Sequence, residues 1–309
     1  MIINTGSRTD IPAFYSKWFY QRIQEGFACV RNPFASHLVT RFALNPDVVD
    51  ALIFCTKNPQ PMLSSLEMIS SYRQLWHVTI TPYGKDIEPY VPEKRQVIES
   101  FCELSKLVGK ERVVWRYDPI FFSEKYSFAY HLRAFKTMCL LLKGYTSECV
   151  FSFIDLYGKT KKNFPEVKEV PFDQQVSLIQ QFSKIAAESG IALSSCLEDQ
   201  RLASCGVDVS GCLTKEKIEK ALSIHLSVPE RFQPPRSGCR CLLGNDIGTY
   251  QSCLHGCRYC YATDSLSLAK ENYGKHKDDS PFLIGNAKED DIVKLYPNES
   301  WIDKQMTLF

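Results

Sequence analysis

The first two-thirds of the chain alternates short apolar runs with amphipathic stretches, and this alternation limits the fold more than any other feature. The apolar runs are rich in β-branched and aromatic residues, and polar turn residues end them. The stretches between them carry apolar residues three or four positions apart, as one face of a helix does. Alternating strands and helices predict βα units and a parallel sheet. The predicted strands lie at residues 2–7, 51–55, 77–81, 112–117, 149–154 and 191–194.

Helices are predicted at residues 13–25, 92–107, 130–142, 172–188 and 264–271, and residues 27–43 are predicted to form a loop or hairpin insertion. Six strands with outer helices predict an α/β fold, in the form of a partial or complete (β/α) TIM-like barrel, with a doubly wound open sheet as the alternative. Prolines follow residue 228, and the chain beyond them has little apolar periodicity. We therefore expect a barrel-like domain at residues 1–228 and a cysteine-rich segment at residues 229–309.

Composition limits the environment of the protein. The formal net charge of +2 gives no strong electrostatic argument for nucleic acid, membrane or acidic partners. Thirteen cysteines would suggest disulfides in a secreted protein, but the sequence does not begin with the basic and apolar regions of an export signal. No apolar run approaches the roughly 20 residues of a membrane helix. We expect a cytoplasmic protein with reduced thiols and no membrane contact.

The cysteines fall into two groups. Those at positions 29, 55, 102, 139 and 149 are scattered in mostly apolar surroundings, as small core residues are. The remaining eight are concentrated beyond residue 195, and Cys253, Cys257 and Cys260 have the spacing CxxxCxxC. Three such thiolates can each hold one iron of a 4Fe–4S cube and leave the fourth iron open, which is typical of an enzyme rather than an electron carrier. His255, inside this spacing, is expected to hydrogen-bond a cluster sulfur or to cap the turn.

Alternative interpretations of these thiols stay open. With Cys239 and Cys241 just upstream, the cysteines could form a structural zinc knuckle, although neither CxC nor CxxxC fits the usual pair of CxxC knuckles. Cys196, Cys212, Cys239 and Cys241 could hold a second, auxiliary cluster, with Cys205 in reserve. They could equally be reduced thiols that pack beside the first site.

Polar side chains follow several of the predicted strands, namely Arg8, Asp10, Thr56, Lys57, Asn58, Thr81, Arg116, Asp118 and Asp155. In a (β/α) barrel the carboxyl ends of the strands carry the chemistry. Strand ends also meet solvent, so each single residue has an ordinary explanation, and Asn-Pro and Asp-Pro are common in turns. The recurrence at five strand ends predicts a functional site at this edge of the sheet.

Essentially the whole chain resembles the bacterial family catalogued as domain of unknown function 1848, which pairs a barrel-like body with a C-terminal radical-SAM-like cysteine cluster. The likeness lies in residues 7–12 (SRTDIP), 55–59 (CTKNP), 117–120 (YDPI), 246–250 (DIGTY) and 253–262 (CLHGCRYCYA). More distantly, the cysteine loop, Thr56-Lys57, Glu88-Pro89 and Pro119-Ile120 are similar to the spore-photoproduct-lyase-like branch of radical S-adenosylmethionine enzymes. In that branch the cluster loop precedes the barrel strands, whereas here it comes last, which resembles a circular permutation. The sequence has no clean Gly-Gly-Glu motif for the cofactor's amino group.

The resemblance implies a radical S-adenosylmethionine enzyme that generates a 5'-deoxyadenosyl radical at the barrel mouth. Its substrate is unknown, and nucleic-acid repair or modification is one candidate. The residues implied are Cys253, Cys257 and Cys260 for the 4Fe–4S cluster, Tyr259 near the adenine, and Lys57, Arg116 and Asp118 around the cofactor's carboxylate and ribose. An electron donor such as flavodoxin or ferredoxin would be a partner. The alternatives are a non-catalytic iron–sulfur protein for electron transfer or redox sensing, and a zinc-stabilised binding module.

The last five residues, 305–309 (QMTLF), suggest a second partner. Gln305, Leu308 and Phe309 resemble the short peptide with which bacterial repair and replication proteins contact the sliding clamp. Such terminal peptides bind as flexible anchors. The alternative is a tail that packs on its own barrel.

Overall fold

The structure is a computed structural model that describes residues 1–234 and 236–303. Strands β1 to β9 are Ile2–Asn4, Phe27–Asn32, Ala35–Ala43, Ala51–Thr56, Gln74–Thr79, Val113–Ile120, Glu148–Phe153, Ala192–Ser195 and Ile292–Leu295. Helices α1 to α9 are Ile11–Phe14, Ser16–Glu25, Gln60–Leu63, Lys94–Val108, Phe128–Leu142, Gly158–Asn163, Phe172–Glu188, Lys215–Leu222 and Leu266–Tyr273. Short 3₁₀ helices lie at Leu66–Ile69, Lys110–Arg112 and Gln200–Cys205. None of the helices in this part of the chain is long and apolar enough to cross a membrane.

Six strands form one parallel sheet in the order β1-β4-β5-β6-β7-β8. These strands are almost entirely buried, as expected of a parallel sheet that helices cover. Strands that follow one another along the chain are neighbours in this sheet, and helices such as α4, α5 and α7 lie in the connections between them. The predicted α/β class is confirmed. The doubly wound alternative is wrong, because that topology needs a reversal of strand order and this sheet has none.

Backbone outside the named strands pairs with both edges of this sheet. Asn4 of β1 forms a parallel bridge with Asp246, and Ser194 of β8 forms one with Asp208. The core around the sheet also contains Trp301 and other apolar side chains from beyond residue 228. The C-terminal segment therefore packs on the core of the first 228 residues, and its definition as a separate unit stays a prediction.

A second, smaller sheet has the order β2-β3-β9. The antiparallel pair β2–β3 confirms the hairpin predicted for residues 27–43. Strand β9, from the C-terminal segment, lies parallel to β3 and was not predicted. All four of its residues are exposed, so its sequence lacks the alternation of apolar and polar residues that marks a half-buried strand.

The first predicted helix, at residues 13–25, is divided in the structure. Asp10 caps the short helix α1 by accepting a hydrogen bond from the amide nitrogen of Ala13 at 3.1 Å. Tyr15 leaves the helical conformation, and α2 begins at the next residue. The side chain of Tyr15 donates a hydrogen bond to the carbonyl oxygen of Ser252 at 2.6 Å. The break thus supports the segment that leads into the cysteine loop.

Candidate functional site

A cavity of about 480 Å³ opens at the carboxyl ends of the parallel strands. Its wall includes residues at or near the carboxyl ends of all six strands, from Gly6 after β1 to Cys196 after β8. Two half-exposed tyrosines, Tyr157 and Tyr261, also line it, with ring centroids 5.8 Å apart. The edge at which the sequence predicts a site is therefore the edge that carries the cavity.

The residues 253–260, hereafter the thiol loop, bring Cys253, Cys257 and Cys260 to this cavity. The loop is held by backbone hydrogen bonds to the segment between β5 and α4: the amide of Tyr90 donates to His255 at 3.1 Å, and that of Arg258 donates to Ile87 at 3.0 Å. Both bonds fix the loop's backbone rather than its side chains. The three thiols thus have a supported scaffold on one side of the cavity.

Gly256 lies between two of these thiols and has a positive φ of 67°, a conformation that other residues seldom adopt. A Cβ atom at this position would also approach Pro89 and Tyr90 at 3.2 and 3.1 Å.

Burial raises the pKa of Cys253 well above its ordinary value and that of Cys257 to about 12. Both thiols are therefore neutral at pH 7 until something that favours thiolates binds them.

Glu88 is the centre of a buried polar network beside the thiol loop. Its carboxylate accepts hydrogen bonds from Lys57 at 2.8 Å, from Thr81 at 2.8 Å, and from Lys94 and Tyr259. Burial alone would raise the pKa of Glu88, but the charges of the two lysines outweigh it and lower this pKa below its ordinary value. The network fixes both Lys57 and Tyr259, two of the residues implied by the resemblance.

A second polar pair joins the thiol loop to the first strand's end. The ring nitrogen Nε2 of His255 lies 2.9 Å from the carboxylate of Asp10, which also accepts from the hydroxyl of Thr56 at 2.7 Å and the amide of Lys57 at 2.8 Å. An ionised carboxylate only accepts hydrogen bonds, so Nε2 carries the proton. The other ring nitrogen, Nδ1, is buried without a hydrogen-bond partner among the described residues. His255 thus bonds Asp10, and its expected bond to a cluster sulfur stays a prediction.

The strand β6 supplies a third pair, Arg116 and Asp118. The guanidinium donates to the carboxylate from Nε at 3.2 Å and also from Nη2, and the hydroxyl of Ser152 donates to the other carboxylate oxygen. Burial favours the neutral acid, but the charge of Arg116 prevails and lowers the pKa of Asp118. Asp118 therefore faces the cavity as a carboxylate held by two neighbours.

The wall also carries Cys196, Cys212, Cys239 and Cys241, hereafter the four-thiol group. The sulfur of Cys212 lies 3.5 Å from that of Cys196 and 3.4 Å from that of Cys241. A hydrogen bond from Cys241 lowers the pKa of Cys239 to about 7. All 13 cysteines, which fall within the described residues, are free. Cys205, the predicted reserve, is buried and does not line the cavity.

The donor atoms can be compared with what each metal centre requires. In residues 1–234 and 236–303, no group of three or more His, Cys, Asp or Glu side chains is arranged to hold a metal ion. A zinc ion needs its sulfur ligands about 2.3 Å from one point. A 4Fe–4S cluster instead takes each thiolate on its own iron, so its ligands stand apart around the cluster. Three thiols of one loop line the cavity, which is the number of protein ligands that a 4Fe–4S cluster with one open iron takes.

Apart from the reserve Cys205, the structure thus gathers the residues that the sequence singled out for the cofactor and for both thiol sets around one cavity. It adds Glu88, Thr81 and Lys94, of which only Thr81 was predicted as a strand-end residue. The distant resemblance includes Glu88-Pro89, but the charged stretch around Glu88 has no local pattern that distinguishes it from a solvated loop, so its burial was not predicted. The predicted clamp residues Gln305, Leu308 and Phe309 lie outside the described residues, and that contact stays a prediction.

The fold and cavity define an α/β protein with a cysteine-lined cavity at the carboxyl ends of a parallel sheet. The chain belongs to the family described as Domain of unknown function (DUF1848), which matches residues 2–262. The match spans the parallel sheet and both thiol sets, and it ends two positions after Cys260. No curated protein matches the chain.

Proposed function

We propose that the protein is a radical S-adenosylmethionine enzyme that binds a 4Fe–4S cluster through Cys253, Cys257 and Cys260. The observation that carries this proposal is the convergence of these three thiols with fixed cationic and anionic side chains on one cavity. When bound, the reduced cluster and S-adenosylmethionine would supply a 5'-deoxyadenosyl radical. We also propose that the sheet is a partial (β/α) barrel, since its strands run in sequential order and further backbone extends both edges.

The residues of the chain would bind and orient the cofactor. Lys57 places a positive charge close to Cys257, which opposes the effect of burial and favours the thiolate. Asp118, kept ionised by Arg116, would accept hydrogen bonds from ribose hydroxyl groups. Arg116 would offset the negative charge of the cofactor's carboxylate. Tyr259 would present its backbone to the adenine, because its side chain is already committed to Glu88.

Closure of the site is the second requirement of radical chemistry, because water and oxidants would consume the intermediate. Residues at the strand ends form part of the cavity wall, and the thiol loop forms another part of it. Tyr157 and Tyr261 line its solvent-facing part, where a substrate would enter. An external electron donor such as flavodoxin or ferredoxin would deliver its electron from this side or through the thiol loop. The substrate stays open, and nucleic acid is one candidate.

Anaerobic reconstitution followed by reduction tests the proposal. The wild-type protein should be brown, bind S-adenosylmethionine and release 5'-deoxyadenosine. A variant with Cys253, Cys257 and Cys260 all changed to Ala should neither bind S-adenosylmethionine nor release 5'-deoxyadenosine. A control variant, Cys102→Ser, alters a half-buried thiol on α4 that does not line the cavity and should behave like the wild type. Loaded protein that releases no 5'-deoxyadenosine under strong reductant would refute the enzyme and favour the electron-transfer alternative.

A further inference from the structure

We propose that the four-thiol group, Cys196, Cys212, Cys239 and Cys241, binds an iron–sulfur cluster of its own at the wall of the same cavity. This proposal does not depend on the reaction proposed above, since it concerns different ligands. It rests on how the four thiols are assembled, on what bonds to their sulfur atoms, and on where they face.

The four thiols come together from distant parts of the chain. Cys196 follows strand β8, and Cys212 comes 16 positions later, after the bridge that pairs Asp208 with the sheet's edge. Cys241 lies another 29 positions along the chain. Cys212, Cys239 and Cys241 belong to the same apolar core as Cys139 and Cys149, but they also line the cavity, which those two do not. Four thiols from three separate segments on one cavity wall are a ligand set rather than a packing accident.

Hydrogen-bond donors point at the sulfur atoms of this group. The amide nitrogen of Leu213 lies 3.3 Å from the sulfur of Cys241, and the amide of Cys241 lies 3.4 Å from the sulfur of Cys239. The guanidinium of Arg236 lies 3.5 Å from the sulfur of Cys196. A thiol sulfur is a weak acceptor. Donors to cysteine sulfur are one of the features by which proteins stabilise iron–sulfur clusters and set their potentials.

The charge around the group agrees with thiolate ligands. Arg236 is half-exposed and lines the cavity beside Cys196, and Arg116 lines the cavity on its buried side. Four thiolates on a cluster leave a net negative charge in a partly enclosed space, which nearby cations offset. Because four cysteines would close every corner of a cube, this cluster would have no open iron. It would exchange electrons with the cavity rather than bind a substrate.

A zinc ion and disulfides are the alternative occupants of this group. A single zinc ion needs ligands that converge on one point, and no such group of three occurs in residues 1–234 and 236–303. Disulfides need sulfurs about 2.05 Å apart, and the two sulfur contacts of Cys212 are 3.4 and 3.5 Å. The thiols instead line a cavity of about 480 Å³, which offers space beyond the sulfur atoms.

Iron and sulfide analysis after anaerobic reconstitution tests the proposal on the full chain. The wild type should hold about eight irons, and two variants should each hold about four: Cys253→Ser/Cys257→Ser/Cys260→Ser, and Cys239→Ser/Cys241→Ser. The first variant keeps the four-thiol group intact, so it reports on the second cluster even if the other variant does not fold. Cys102→Ser should keep about eight irons.

Failure of this proposal differs from failure of the proposed function. If only the thiol loop binds a cluster, the wild type holds about four irons and the thiol-loop variant holds none, which overturns the second cluster. If only the four-thiol group binds one, the thiol-loop variant keeps the wild-type iron and Cys239→Ser/Cys241→Ser loses it. Two other results would also overturn the second cluster. One is stoichiometric zinc that stays bound in excess iron. The other is the loss of four titratable thiols when reconstituted protein is oxidised without releasing iron.

Discussion

Replacing Glu88 by Gln removes the carboxylate that four side chains share, two of which, Lys57 and Tyr259, line the cavity. Glu88 is 1% exposed, and it accepts hydrogen bonds from Lys57, Lys94, Thr81 and Tyr259. The substitution keeps the size of the side chain but leaves two lysine charges close together without their counter-charge. Breaking a buried ion pair costs about 3–5 kcal/mol, because the remaining charge is desolvated and unpaired. Lys94 is a quarter exposed and can reach water, so we expect the lower end, about 3 kcal/mol.

The matched control is Glu93→Gln. Glu93 lies five positions away and pairs with Lys85 at 3.3 Å, but both side chains are more than half exposed. Exposed pairs contribute less than about 1 kcal/mol. The free energy of unfolding of both variants, measured in guanidinium chloride at pH 7 without metal, separates the two cases. Equal destabilisation by the two substitutions would show that Glu88 is not the centre of the network.

The pH dependence of stability tests the role of Glu88 independently. The folded state lowers the pKa of Glu88, so its contribution is complete above the ordinary glutamate value of 4.5 and is lost as the pH falls toward the folded value. The stability difference between wild type and Glu88→Gln should thus be constant from pH 7 to 6 and shrink below about pH 4.5. A difference that grows on acidification would contradict the lowered pKa. In a Glu88→Gln background, Lys94→Met should recover part of the loss, because it removes one of the two unpaired charges.

Two further predictions concern the wall and the core. Gly6→Ala places a Cβ atom 2.2 Å from the carbonyl oxygen of Cys55, so the strand ends must shift, and we expect a loss of about 2 kcal/mol in unfolding free energy together with weaker iron retention. Gly158→Ala, with nothing within 4 Å of its Cβ, should be neutral, and an equally neutral Gly6→Ala would refute the close approach. Burial lowers the pKa of His131 to about 4 from 6.5, so the unfolded state takes up its proton first. As the pH falls from 6.5 to 4, the unfolding free energy of the wild type should therefore fall by about 3 kcal/mol more than that of His131→Asn, measured by denaturation of both proteins at each pH. The same pH dependence in both proteins would argue against a buried neutral ring.

The sequence predicted the parts of the fold whose residues face a single environment. Strand β4 was found almost to its ends because every residue but Cys55 is buried, which gives a continuous apolar run. Strand β9 was missed because it is stabilised by pairing with β3 while its side chains stay in water. The break at Tyr15 was also missed, since it depends on a hydrogen bond to a residue 237 positions away. Contacts of that range leave no periodicity in the local sequence.

The site shows the same division. Its strand-end residues could be predicted, because parallel strands place their carboxyl ends at one edge. The pairing of these residues could not be predicted, since it depends on packing between elements. Lys57 illustrates this: the sequence placed it at a strand end, but its partner Glu88 comes from a loop 31 positions later. The proposed role of Lys57 in binding the cofactor therefore has to be distinguished from its role in the Glu88 network. Measuring both the stability and the cofactor binding of Glu88→Gln can separate the two roles.

The spatial order of the chain explains how a cysteine loop late in the sequence can serve strands that come first. The amide of Asn4 in β1 donates to the carbonyl of Asn245 at 2.9 Å, and the amide of Ile247 donates back to Asn4 at 3.0 Å. Residues 245–247 therefore run parallel to β1 at the outer edge of the sheet, and the thiol loop follows them at the carboxyl end, as loops follow the other strands. In space the thiol loop belongs to the position before β1, although in sequence it comes after β8. The circular permutation expected from the motif order stays a prediction. It would require such an arrangement, because a site depends on which strand ends are adjacent and not on the order in which the chain visits them.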